Sequence, residues 1–133
     1  MQLSLRAGEK LYLNGAVIKV DRKVSIELMN DVTFLLEAHV MTPEQTTTPL
    51  RQLYFTIQVL LMDPSCEAGP QAEGMVGRLL DTFDNAEIKT GLRQVRDLLA
   101  VRRRFEALKT IRRMFALEAQ IFAPAPPRIA LSA

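Results

Sequence analysis

Apolar and polar residues alternate over short distances in the first 41 positions, and this spacing is typical of β-strands. Residues 24–29 alternate most regularly, and the Asn14-Gly15 pair between two apolar runs is a strong signal for a tight hairpin. Residues 32–40 form another apolar stretch, which we interpret as a further strand. Together the runs predict a small antiparallel sheet of about four or five strands. A sheet of this size needs a helix or a second subunit on its apolar face.

The spacing changes to a helical pattern at residue 42. Residues 42–45 combine a threonine cap, a proline and a capping-box glutamine, so a short helical turn is predicted there. Longer apolar stripes, the last of which includes Phe122, predict helices that begin near Pro49, Pro70, Asn85 and Arg103. No proline or glycine interrupts residues 92–122, so one continuous helix over 85–122 is an alternative to the two separate helices that begin near Asn85 and Arg103.

The order of these patterns predicts the α+β fold class, with a small N-terminal antiparallel β unit followed by a C-terminal α-helical unit. We place the β unit at 1–41, the helical unit at 42–122 and a Pro-rich flexible tail at 123–133. An uncovered sheet and several apolar helix stripes indicate more buried surface than one short chain supplies, so a homodimer is expected. No apolar run is long enough to span a bilayer, and the N-terminus lacks a signal-peptide pattern. A cytoplasmic protein without membrane contact is therefore expected.

Residues that commonly carry catalysis are few and isolated in this chain. His39 is the single histidine and lies in an apolar stretch, so we interpret it as a strand-end or core residue. Cys66 is the single cysteine, has no base nearby in the sequence, and fits a passive thiol in a reducing compartment. Gly74 and Gly77 lack the lysine of a phosphate-binding loop, so they are expected to let helices approach closely. We expect a binding protein with no catalytic residues, no metal and no cofactor.

Charge is distributed unevenly along the chain of 133 residues, although its formal net charge is only +2. Residues 1–41 are neutral overall, residues 42–88 carry a net charge of −5, and residues 89–133 carry +7. A basic end of this size indicates a surface for a polyanion or for an acidic protein partner. The alternative is intramolecular, with the acidic middle packed beside the basic end.

Two sets of cations are candidate contacts for RNA phosphates. The first set lies on or between the predicted strands and consists of Arg6, Lys10, Lys19, Arg22 and Lys23. The second set forms two stripes at helical spacing and consists of Lys89, Arg93, Arg96, Arg102, Lys109 and Arg113. If the last two helices pair in antiparallel fashion, both stripes flank one groove for RNA or for an acidic partner helix. One alternative is that the stripes are a solvated helix face, and another is that Asp81, Asp84 and Glu87 neutralise them internally.

Residues 3–17, with the sequence LSLRAGEKLYLNGAV, resemble the opening of the FlbT family of flagellin regulators. The resemblance continues in the segments 26–32, 41–45 and 104–109, so several short motifs occur in the order typical of that family. Residues 3–11 are also similar to the start of the CsrA family of strand-based RNA-binding repressors, whose subunits exchange strands in a dimer. In that comparison Arg6 occupies one of two paired basic positions, and a leucine occupies the other.

The FlbT resemblance implies post-transcriptional control of flagellum assembly. Members of that family associate with the 5′ untranslated region of flagellin mRNA and repress translation or promote decay, and a small protein, FlaF, acts in the same circuit. The resemblance therefore implies a non-enzymatic RNA-binding regulator with the flagellin mRNA leader as its partner. The alternative is a protein-binding adaptor or chaperone-like module that acts on flagellin or FlaF and affects the mRNA indirectly.

Overall fold

The fold comes from a computed structural model that describes residues 1–14, 16–30, 32, 34–63 and 69–123. Gly15 of the predicted hairpin turn, Cys66 and the Pro-rich segment from residue 124 onward lie outside the described residues. Antiparallel strands occupy the N-terminal part of the described chain, and helices follow them. This order confirms the predicted α+β class.

The β unit contains five strands among the described residues, namely β1 (Gln2–Leu5), β2 (Lys10–Leu13), β3 (Ala16–Lys19), β4 (Val24–Glu27) and β5 (Phe34–Leu36). The strands form two sheets, so the expectation of a single sheet is wrong. β1 pairs with β4, while β2 lies between β3 and β5. The two ladders are separate because the chain turns at 6–9, where the Glu9 N–H donates to the Arg6 carbonyl at 3.0 Å. Gly8 has a φ of 81° in this turn, a conformation that suits glycine.

The apolar stretch at 32–40 is not one strand, which corrects the sequence-based expectation. β5 has three residues, and a 3₁₀ turn at Glu37–His39 follows it directly. The Glu37 carboxylate accepts a hydrogen bond from the Lys10 N–H at 2.9 Å, and the Val40 N–H donates to the Glu37 carbonyl at 3.1 Å. The Val40–Glu37 bond closes the 3₁₀ turn, so His39 lies in that turn and not at a strand end. The His39 side chain is half-buried.

The helical unit begins with a 3₁₀ turn at Pro43–Gln45, and its described helices are α1 (Pro49–Met62), α2 (Gly69–Thr82), α3 (Ala86–Ala100) and α4 (Arg104–Phe122). The predicted capping box closes the 3₁₀ turn. Thr48 and Asn85 accept hydrogen bonds from N–H groups in the first turns of α1 and α3, as expected of helix caps. Arg102 has a φ of 60°, which separates α3 from α4 and excludes the continuous helix.

Two apolar cores stabilise the fold. The larger core lies among the helices and also includes Leu35 and Met41 from the segment before α1. The smaller core lies in the β unit and is formed by Leu3, Leu5, Leu11 and Phe34. Phe105 of α4 packs against both cores, and its ring centroid lies 5.0 Å from that of Phe34. This aromatic pair therefore connects the two cores.

Two buried polar side chains, Gln58 and Glu118, satisfy backbone groups at the start of the helical unit. Gln58 accepts a hydrogen bond from the Met41 N–H at 2.6 Å and donates to the Met41 carbonyl at 2.9 Å. The Glu118 carboxylate accepts from the Leu50 N–H, in the first turn of α1, at 2.8 Å. Because an unpaired buried polar group is costly, these contacts fix the position of the chain against α1 and α4.

The expectation that Gly74 and Gly77 let helices approach closely is wrong. Both glycines lie on the exposed side of α2, and an added Cβ at Gly77 would meet nothing within 4 Å. The close approach occurs instead at Gly91 in α3, where an added Cβ would lie 2.3 Å from Sδ of Met114 in α4. Phe122 also departs from its predicted core position, because it is 55% exposed, with its ring centroid 6.1 Å from that of Phe83.

The homodimer stays a prediction. The apolar side chains of Val17 and Met29 in the β unit are exposed. Among the described residues, Phe105 is the helical residue that packs on the small core of the β unit. A partner that covers these side chains would bury apolar area that one chain leaves in water.

The contrast between Gly91 and Gly77 gives a stability test. We expect Gly91→Ala to lower the free energy of unfolding by about 1–3 kcal/mol, because the new methyl group would displace the buried Met114 side chain. Gly77→Ala, the matched control on an open helix surface, should raise it by about 0.5–1 kcal/mol. Urea unfolding followed by circular dichroism measures both changes. Equal effects of the two substitutions would show that α3 and α4 do not meet at Gly91.

Candidate nucleic-acid interface

The five candidate cations of the β unit lie around the break between its two ladders. Lys10 and Lys19 are directly opposite each other in the β2–β3 ladder. Leu5 and Val24 form the last pair of the β1–β4 ladder, so Arg6 and Lys23 are the next residues on either side. Arg22 lies in the connection between β3 and β4. We call this group of five residues the hairpin patch.

Like charges directly opposite in an antiparallel ladder destabilise it, and Lys10 and Lys19 form such a pair. The nearby carboxylates of Glu9 and Glu37 accept hydrogen bonds from the backbone N–H groups of Arg6 and Lys10. Arg22 pairs with its exposed neighbour Asp21 at 3.4 Å. Within the described chain neither lysine forms an ion pair, which leaves both ammonium groups available to an external anion.

A second basic surface lies at the corner between α3 and α4. A cleft of about 480 Å³ separates this corner from the β unit, and its lining residues are Met1, Val32, Phe34, Arg102, Arg103, Arg104, Phe105, Glu106 and Lys109. The lining thus combines four cations with one acid and an apolar floor. We call it the corner cleft.

The four cations of the corner cleft differ in the contacts that their side chains make. Arg103 pairs with Glu106, and Arg104 Nη1 donates to the Leu60 carbonyl at 3.4 Å. Lys109 Nζ lies 4.8 Å from the Phe105 ring centroid, a cation–π contact that leaves its charge uncompensated. Arg102 is exposed and has no ion pair in the part of the chain that the structure describes. Arg102 and Lys109 are therefore the cations of the cleft whose side chains have neither an ion pair nor a hydrogen bond among the described residues.

Arg102 has a left-handed backbone conformation, with a φ of 60°. This conformation costs a residue with a side chain roughly 1–2 kcal/mol, and glycine is the usual residue at such a helix end. Asn14 shares the conformation, but asparagine tolerates it in hairpin turns. An arginine at this corner is consistent with a role for its side chain in binding.

The structure brings Arg102 and Lys109 together, but Lys89, Arg93, Arg96 and Arg113 do not line the corner cleft. Gly91 lies on the face of α3 that meets α4, and at 3.6 residues per turn Arg93 and Arg96 lie about 160° and about 140° around the helix from it. These two arginines therefore face away from α4. Nor do they form ion pairs with Asp81, Asp84 or Glu87 among the described residues.

Sequence reasoning missed the contributions of Phe34, Phe105, Arg103 and Arg104 to this surface. The run of three arginines at 102–104 was a usable signal, because consecutive cations at a helix junction lie at one corner. The contact between Phe34 and Phe105 gave no such signal, because it joins residues far apart in the chain.

No helix of the described chain has the length and apolar character needed to cross a membrane. The described residues also contain no group of three or more histidine, cysteine or acidic side chains that could hold a metal ion.

The fold and its surfaces define a small α+β protein with two basic patches. The family model for the flagellar protein FlbT matches residues 1–122, and the chain belongs to the FlbT family. It is 51% identical over 128 residues to a probable flagellum biosynthesis repressor protein FlbT from Brucella ovis, with 95% of this chain and 84% of the relative covered. It is 52% identical over 122 residues to a protein of the same name from a Chelativorans species, with coverages of 90% and 84%.

These matches confirm the family resemblance that the sequence motifs indicated. No solved structure matches the chain. The likeness to the CsrA family stays a resemblance of residues 3–11 alone.

The Lys10–Lys19 pair gives a test of electrostatic strain in the hairpin patch. We expect Lys19→Gln to raise the free energy of unfolding by about 0.2–1 kcal/mol, because it removes one of two like charges in a direct cross-strand pair. Arg93→Gln is the control, since it removes the same charge from an exposed position on α3, outside both ladders. Thermal unfolding at low ionic strength measures both variants. A gain at Arg93 equal to that at Lys19 would show that overall charge, and not the pair, is responsible.

Proposed function

We propose that this protein is a non-enzymatic post-transcriptional regulator of flagellum biogenesis that binds the 5′ untranslated region of flagellin mRNA. Its relatives are named flagellum biosynthesis repressors, which supports a regulatory role in this process. The observation that best supports RNA as the ligand is the corner cleft, where Arg102 and Lys109 have no ion pair among the described residues and lie beside an apolar floor. Repression would follow from occlusion of the leader or from recruitment of decay machinery.

Contacts to the RNA backbone dominate this proposed interaction. Phe34 is only 6% exposed and Phe105 is half-buried, so the cleft offers little free aromatic surface for base stacking. Arginine and lysine at the rim neutralise phosphates instead, and affinity gained in this way falls as salt rises. The hairpin patch supplies a second set of cations for a longer stretch of the same strand.

The test measures affinity of the purified chain for a fluorescent flagellin leader RNA over a range of salt concentrations. For single strands the slope of log affinity against log salt is about −0.7 per phosphate contacted. Arg102→Gly should weaken binding several-fold and make the slope less steep by about 0.7, because one phosphate contact is lost. The same substitution should raise the free energy of unfolding by about 1 kcal/mol, because it relieves the left-handed arginine.

Arg93→Gln is the matched control, since Arg93 is an exposed arginine of α3 that does not line the cleft. Its affinity and salt slope should equal those of the unmodified protein. If Arg102→Gly binds the leader as tightly as the unmodified protein, the corner cleft is not the RNA site. Weak leader binding combined with tight, salt-tolerant binding to flagellin or FlaF would support the adaptor alternative instead.

A further inference from the structure

A cavity between the 3₁₀ turn at Glu37–His39 and the helices α1 and α4 lies apart from both basic surfaces described above. It encloses about 160 Å³, and its polar lining comes from His39, Gln45, Arg51, Tyr54 and Arg112. No carboxylate is found among the described residues that line it. The cavity and the corner cleft share no lining residue.

Two guanidinium groups in this cavity are positioned by aromatic side chains and not by acids. The Arg51 guanidinium carbon lies 4.6 Å from the centroid of the Phe115 ring. Arg112 Nη1 donates to the Tyr54 hydroxyl oxygen at 3.4 Å. Neither arginine forms an ion pair in the described chain, and both are half-buried. Because a half-buried cation without an acid is poorly compensated, the pair favours an anion from outside the chain.

The His39 side chain also lines this cavity. Its Nδ1 is buried and has no hydrogen-bond partner among the described residues, which is rare for a buried polar atom. The Tyr54 hydroxyl donates to the His39 carbonyl at 2.6 Å and fixes the backbone of the turn. Burial, and then the positive charges of Arg112 and Lys109, lower the pKa of His39 below its ordinary value. The imidazole is therefore neutral at pH 7.

We propose that this cavity binds a phosphate monoester, with Arg51 and Arg112 on its oxygens and the His39 imidazole beside it. The planar guanidinium group presents paired N–H donors that match phosphate oxygens, and stacking on Phe115 limits the orientations of Arg51. The monoester comes either from a small phosphorylated molecule or from the 5′ end of an RNA. The proposal does not depend on RNA binding at the corner cleft, because the two sites share no lining residue.

The site predicts a specific pH dependence. An anion beside His39 stabilises the charged imidazole, so affinity rises as the pH falls through the range in which His39 gains a proton. The charged and titratable groups around it are Arg51 and Tyr54 from α1 and Arg112 and Lys109 from α4. Burial raises the pKa of Tyr54, so this hydroxyl stays neutral. Glu37, in the same turn, accepts from the Lys10 backbone N–H.

Calorimetric titration of the full chain with inorganic phosphate and with 5′-AMP tests the proposal. Both probes should bind the unmodified protein, and adenosine, which lacks the phosphate, should not. Arg112→Gln and Arg51→Gln should each weaken binding about tenfold or more, because each removes a charge-assisted contact. Arg113→Gln, the neighbouring exposed arginine of α4, should leave the affinity unchanged. Using two separate arginine variants keeps the test valid if one of them fails to fold.

Sulfate serves as the probe for the pH series, because it does not titrate near neutrality as phosphate does. Sulfate affinity should rise between pH 7 and pH 5 in the unmodified protein, because the pKa of His39 lies below its ordinary value, and this rise should disappear in His39→Gln. The proposal is wrong if phosphate and 5′-AMP fail to bind, or if Arg113→Gln weakens binding as much as Arg112→Gln. A rise with falling pH that persists in His39→Gln would exclude His39 as the titrating group.

Two RNA oligomers that differ only in their 5′ end identify the source of the monoester. Tighter binding of the 5′-phosphorylated oligomer than of the 5′-hydroxyl oligomer, lost in Arg112→Gln, assigns the site to an RNA end. Binding of 5′-AMP with no preference between the oligomers assigns it to a small phosphorylated molecule. The Arg102→Gly variant should retain phosphate binding in either case, so failure at the corner cleft is distinguishable from failure at this cavity.

Discussion

The buried amide of Gln58 holds both backbone groups of Met41, and this contact determines where the strands meet the helices. The segment that it fixes includes the 3₁₀ turn at Glu37–His39 and the start of the capping box at Thr42. The Tyr54 hydroxyl adds a second bond from α1 to the same segment, at the His39 carbonyl. Because the groups in these three hydrogen bonds are buried or half-buried, a displacement of this segment along α1 would leave them unpaired. The cavity around His39 exists because the chain is held there.

The aromatic contact between Phe34 and Phe105 extends this arrangement to the β unit. It joins the small core to α4 and also forms the floor of the corner cleft. The arginines at 102–104 come to the edge of that floor because α3 ends at a residue in the left-handed conformation. Packing between the two units thus places the charges of Arg102 and Lys109 beside a cleft, where an extended polyanion has access to both.

Local features of the fold were predictable because they depend on neighbouring residues. Helix starts followed from Thr48 and Asn85, whose side chains cap the N–H groups of the next turn. The two-sheet arrangement was not predictable, because alternation in single strands does not reveal that the turn at Gly8 separates the ladders. The role of Gly91 was missed for a similar reason, since a close approach depends on the partner helix that supplies Met114.

The candidate site was predictable in its residue types more than in its geometry. Charge spacing identified Arg102 and Lys109, but it grouped them with Arg93 and Arg96 on an α3 face that points away from α4. Periodicity identifies the face of a helix but not the neighbour that this face meets. The cavity around His39 was beyond the sequence entirely, because it combines residues from a 3₁₀ turn and two helices that are far apart in the chain.

Photo-crosslinking of the full chain to a flagellin leader RNA that contains 4-thiouridine, followed by mass spectrometry of the peptides, locates the bound RNA on the protein. If RNA binds in the corner cleft, crosslinks fall in residues 102–109 and in the strand that contains Phe34, because these line the cleft. Crosslinks confined to α2 and to the outward face of α3, with none at the corner, would show that RNA does not bind there.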